Sequence, residues 1–136
     1  MPWFWIALLG GGVGYLIIVK SVRHREMRAL RRRPCAGAAW RRRFPGVAPD
    51  DIRDYLAIVA TCMGMPDSQR LKLRPDDRII DIYRAAIGGR WAIGDSMELE
   101  SLIMELEARY RIDTTSYVDS EITLARLLSG VIRRRR

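Results

Sequence analysis

The stretch from Gly94 to Tyr110, GDSMELESLIMELEARY, constrains this chain more tightly than any other. Met97, Leu99, Leu102, Ile103, Leu106 and Tyr110 recur at mixed spacings of three and four. That spacing lines one face of an α-helix with apolar groups. Glu98, Glu100, Glu105 and Glu107 fall on the other faces. Asp95 or Ser96 supplies the N-cap, because a short oxygen-bearing side chain accepts from the free backbone N–H groups of the first turn. Ser96 is thereby a hydroxyl beside the positive end of the helix dipole, a setting that also favours an attached phosphate. Read on its own, Asp-Ser before an amphipathic helix is a common capping pattern.

Charge is segregated along the 136 residues. Lys20 to Arg43 carry ten Lys or Arg and one Glu, whereas Phe44 to Ile132 carry ten Lys or Arg and fifteen Asp or Glu. Arg133 to Arg136 close the chain with four more cations. The net charge of +8 therefore describes a stalk and a tail around an acidic module, not a nucleic-acid-binding fold. No interleaved aromatic array beyond Trp40 accompanies the arginines, so no nucleic acid is expected as a partner.

Trp3 to Val19 hold no charged residue over seventeen positions, nineteen with Met1 and Pro2, and Lys20, Arg23, Arg25 and Arg28 follow. This predicts a single N-terminal transmembrane helix over residues 1–19, with the chain after it on the cytoplasmic side. A cleaved signal peptide would want a positive n-region and a small-residue cleavage site, and neither is obvious. The expected setting is a single-pass protein of a bacterial inner membrane. Residues 20–46 read as a basic juxtamembrane linker attracted to anionic membrane lipids. Residues 133–136 read as a basic tail.

Residues 47–132 read as an all-α domain. A helix is predicted from Asp50 or Asp51 to about Met63, with Ile52, Tyr55, Leu56, Val59, Ala60 and Met63 inward and Gly64 as its stop. Asp67 to Pro75 reads as a polar connection anchored by Leu71 and Leu73. A second helical pattern opens at Pro75-Asp76-Asp77, uses Ile79, Ile80, Ile82, Tyr83 and Ile87, and ends at Gly88-Gly89. Trp91 and Ile93 lead into the Gly94 stretch. Thr114 to Ser120 reads as a loop, and Asp119 or Ser120 caps a last helix carrying Ile122, Leu124, Leu127, Leu128 and Val131. Nothing alternates with a strand period over a useful length.

Asp95-Ser96-Met97, followed by Leu102, Leu106, Glu107 and Tyr110, resembles the acyl carrier protein family. That family's attachment motif, Asp-Ser and an aliphatic residue, precedes a helix ending in Leu-x-x-x-Leu-Glu-x-x-[Phe/Tyr]. The match is strong over these seventeen residues and weaker elsewhere. It implies a small carrier-like helical bundle in which Ser96, with Asp95 beside it, bears a 4′-phosphopantetheine arm. The implied partners are a phosphopantetheinyl transferase and acyl-transfer or acyl-synthesis enzymes, met through Glu98, Met104, Glu105 and Glu107. The chain departs from the family in a longer connection before Ser96 and in Glu100, where the family usually has an apolar residue.

Catalysis by the chain itself is not expected. The single histidine, His24, lies among arginines, and Cys35 and Cys62 have no histidine near them in sequence. The sequence thus predicts a membrane-tethered acyl carrier in lipid metabolism. The alternative is a carrier-like interaction module at the membrane without a prosthetic group.

Overall fold

The computed structural model describes residues 14, 15, 17, 18, 21, 25, 27–87, 97–113, 119 and 121–135. Its named elements are α1 (Gly37–Arg43), α2 (Pro49–Cys62), a 3-10 turn (Asp67–Lys72), α3 (Ile79–Ile87), α4 (Met97–Tyr110) and α5 (Leu124–Arg135). No strand occurs among the described residues; the nearest feature is an isolated bridge between Arg78 and Thr123. The expectations placed on Gly88-Gly89, Trp91, Ile93, Asp95, Ser96, Thr114 to Val118, Ser120 and His24 lie outside the described residues.

Helix α2 is the post of the fold. Pro49 sits in its first turn, where a missing N–H costs nothing, and Asp50 and Asp51 follow at the positive end of the dipole. Ile52, Tyr55, Leu56, Val59 and Ala60 are buried along one face. The helix stops at Gly64, whose φ of 65° is left-handed. There the N–H of Gly64 donates to the Thr61 carbonyl at 3.0 Å and that of Met65 to the Ala60 carbonyl at 2.8 Å. This pair of bonds closes orphan carbonyls, and the buried Met65 side chain supplies the apolar contact that accompanies such an ending.

The 3-10 turn and α4 pack against α2. Leu102 and Leu106 of α4 are wholly buried, as are Leu124 and Leu127 of α5. The start of α5 is satisfied by the loop before α3: Leu124 and Ala125 donate their N–H groups to the carbonyls of Asp77 and Pro75 at 2.9 and 2.8 Å. In return the Ile79 N–H donates to the Ile122 carbonyl at 3.0 Å. The Tyr55 hydroxyl, itself buried, donates to the Leu124 carbonyl at 3.0 Å. One polar node thus ties α2, the α3 loop and α5 together inside an apolar core. Thr123 caps α5, its Oγ1 accepting from the Arg126 N–H at 3.3 Å. Asp119 instead accepts from the Glu121 N–H in the preceding turn, so the expected cap lies outside the helix.

The basic segment behaves differently from the expected linker. Residues 27–32 are helical, and Leu30, Ala36 and Trp40 belong to the core cluster, with Met27 and Phe44 packed against it. Trp40 stacks on Phe44 with centroids 5.9 Å apart and meets Tyr55 edge-on at 6.1 Å. Its indole N–H donates to the Leu73 carbonyl at 2.8 Å. The Ala36 N–H donates to the Leu71 carbonyl at 2.7 Å, and Lys72 Nζ donates to the Arg33 carbonyl at 2.6 Å. Arg33 reaches both oxygens of Asp77 at 2.8 and 2.9 Å. Arg41, Arg42 and Arg43 fill the last turn of α1, where cations complement the carbonyl end of the dipole.

The expected membrane anchor is corrected here. Among the described residues no helix is long and apolar enough to cross a membrane. The uncharged run is at the lower limit of the length that spans a hydrocarbon core, about 17–25 residues, and basic side chains follow it at once. Of Trp3 to Val19 only Gly14, Tyr15, Ile17 and Ile18 are described, all helical. The single-pass topology, the inner-membrane setting and the cytoplasmic assignment of the C-terminal part fall with the anchor.

Candidate functional site

Helix α4 follows Asp95 and Ser96 directly in the sequence, so its two faces define what a group attached there would be presented with. The inward face is Leu102 and Leu106, with Leu99 and Tyr110 packed beside them. The outward face is apolar at its centre. Met97 and Met104, seven residues apart, are each 61% exposed. Ser101 and Ala108, also exposed, complete the same stripe at helical spacing.

Acidic residues edge this stripe on both sides. At 100° per residue, Glu98 and Glu105 follow one another along one edge, and Glu100 and Glu107 along the other. Glu100 and Glu105 are exposed, whereas Glu98 and Glu107 are half-buried. Methionine is flexible and polarizable, so a Met stripe between carboxylates suits an apolar contact framed by cationic partners.

Of the site residues expected from sequence, Met104, Glu98, Glu105 and Glu107 are therefore brought onto one helix surface. Asp95 and Ser96 lie outside the described residues. Met97 is corrected: the periodicity placed it on the apolar inward series, yet it stands opposite the core. The reason is angular, since Met97 lies about 140° around the helix from Leu102, and only Leu102 and Leu106 of α4 are buried. The same rotation explains Glu100, which departs from the carrier pattern without burying a carboxylate.

Cys62, at the end of α2, faces α4. Burial pushes its thiol above the ordinary range, and the Glu105 carboxylate adds to the shift by opposing a thiolate. Glu105 and the half-buried Cys62 are thus neighbours. Arg78, at the opposite side of the α3 loop, hydrogen-bonds Asp81 and reaches Glu121, and these carboxylates hold its guanidinium further toward the charged form. Among the described residues no cluster of His, Cys, Asp or Glu could hold a metal ion.

Comparison with known protein families, curated proteins and solved structures finds no match for this chain.

Proposed function

We propose that this chain is an acyl carrier: it holds acyl groups on a 4′-phosphopantetheine arm attached to Ser96 and presents them to partner enzymes. The observation that carries the reading is the surface of α4, which begins one residue after Asp95-Ser96 and turns Met97, Met104 and two glutamate edges outward. In the transferase, Ser96 Oγ would give up its proton and attack the pantetheine-side phosphorus of coenzyme A, forming the phosphodiester as the pyrophosphate bond breaks and adenosine 3′,5′-bisphosphate leaves. Asp95 lies beside the attachment point in sequence. The chain needs no nucleophile beyond the Ser96 hydroxyl, because the arm's own thiol forms the thioester. Its contribution is presentation, and the acidic edges would attract basic patches on the transferase and on acyl-transfer or acyl-synthesis enzymes.

The test is incubation of the full chain with coenzyme A and a broad-specificity phosphopantetheinyl transferase. Wild type is expected to gain one phosphopantetheinyl group and Ser96→Ala none. Incorporation that survives in Ser96→Ala, or a folded chain that is never modified, counts against the reading. A second reading, a helical interaction module without a prosthetic group, is favoured by the same Met stripe, which needs no arm in order to bind a partner.

A further inference from the structure

The basic segment and the loop before α3 line an open cleft of about 440 Å³, remote in sequence from α4. Its walls include Pro34, Cys35, Arg42, Arg43, Arg74 and Asp76. Three guanidinium groups face one carboxylate there. Arg33, Arg53, Arg70, Arg78 and Arg84 each reach an Asp or Glu within 4 Å. Arg42, Arg43 and Arg74 form no such ion pair among the described residues, although Asp76 lines the same cleft.

The cleft is also held open by fixed walls. Trp40 anchors α1 through Leu73, the residue before Arg74. Ala36 is bonded to Leu71, and Arg33 clamps Asp77. The Arg74 N–H donates to Asp77 Oδ2 at 2.7 Å and the Asp77 N–H returns to the Arg74 carbonyl at 3.1 Å, which sets the turn that carries Arg74. Arginines carried on two such backbone-fixed walls suit a compact polyanion, because guanidinium groups bind phosphate oxygens in pairs. The volume is that of a small-molecule site.

We propose that this cleft binds a small molecule bearing a diphosphate group, held by Arg42, Arg43 and Arg74. Three cations gathered on two facing walls of one short cleft favour a compact, multiply charged group over an extended phosphodiester backbone. The proposal stands independently of the carrier reading of Ser96.

Cys35 lines the cleft and is exposed, so it reports occupancy, while Cys62 serves as the internal control. The rate of Cys35 alkylation by iodoacetamide in the full chain would be followed by peptide mapping, with and without inorganic pyrophosphate at constant ionic strength. Pyrophosphate is expected to slow Cys35 labelling at least threefold with saturation and to leave Cys62 unchanged. In Arg42→Gln/Arg74→Gln, both positions being exposed, the concentration needed should rise at least tenfold, with the circular dichroism spectrum retained. Absence of protection, protection matched by sodium chloride, or protection that persists unchanged in the double variant would overturn the proposal. So would protection by an oligodeoxythymidine but not by pyrophosphate, which would assign the surface to a nucleic-acid backbone.

Discussion

Replacing Trp40 separates a structural basic segment from a tether. Trp40 is 1% exposed, stacks on Phe44, meets Tyr55 edge-on and donates to the Leu73 carbonyl at 2.8 Å. Truncation to alanine removes the indole and leaves a cavity between α1 and α2, a change that costs about 3–5 kcal/mol. Trp40→Phe keeps a ring against Phe44 and Tyr55 but leaves the Leu73 carbonyl without its donor, for about 1–3 kcal/mol. Against a total stability of about 5–15 kcal/mol for a small domain, the alanine variant should sit near the edge of folding. Urea titration followed by circular dichroism at 222 nm reads the difference, since Trp3, Trp5 and Trp91 would confuse a fluorescence signal. The midpoint should fall in the order wild type, Phe, Ala, with the slope unchanged. A loss below about 0.5 kcal/mol for Trp40→Ala, the range of an ordinary surface substitution, would refute the packing of this segment into the core.

Three further outcomes follow from the same contacts. Tyr55→Phe strips the hydroxyl that donates to the Leu124 carbonyl in the core and should cost about 1–2 kcal/mol in the same titration. Asp77→Ala should destabilise more than Arg33→Ala, because Asp77 is only 14% exposed and also accepts from the Arg74 N–H. A double-mutant cycle should give the Arg33–Asp77 pair a coupling of about 1 kcal/mol, kept small by the one-third exposure of Arg33. Cys62 should react with thiol reagents more slowly than exposed Cys35, because burial and the Glu105 carboxylate both disfavour the reactive thiolate. Its folded thiol ionises above the ordinary value of 9.0, so the unfolded chain loses that proton first. The stability it contributes is therefore complete below about pH 9 and declines as pH rises further, and Cys62→Ala should flatten that alkaline slope.

Periodicity in the sequence reached the helices but not all of what they pack against. The inward face of α2, from Ile52 to Ala60, follows from its apolar spacing, and the anchoring role of Leu73 from its being one of two apolar residues in a polar connection. The buried set Leu30, Ala36 and Trp40 did not, because nine arginines between Arg23 and Arg43 dominate the composition there. The signal was present in Met27 and Leu30 three apart and Trp40 and Phe44 four apart, spacings that a charge count overrides. Conversely, the uncharged run near the N-terminus suggested a membrane span that no described helix provides. The rotation of α4 was half legible: Leu102 and Leu106 could be assigned inward, but whether Met97 joined them depended on how narrow a strip α2 offers. The pairing of Arg53, Arg70 and Arg78 with an Asp three residues away is a local pattern, whereas the meeting of Arg42, Arg43 and Arg74 in one cleft depends on residues far apart in the chain and left no mark in any local pattern.

The most direct measurement is the intact mass of the full chain purified from the cells that make it, beside a Ser96→Ala chain from the same cells. An acyl carrier arrives heavier by one phosphopantetheinyl group, with or without an acyl chain, and Ser96→Ala arrives at its bare mass. A wild-type chain found only at its bare mass, folded and helical, would contradict the carrier assignment and leave the Met97–Met104 face of α4 as the surface to explain.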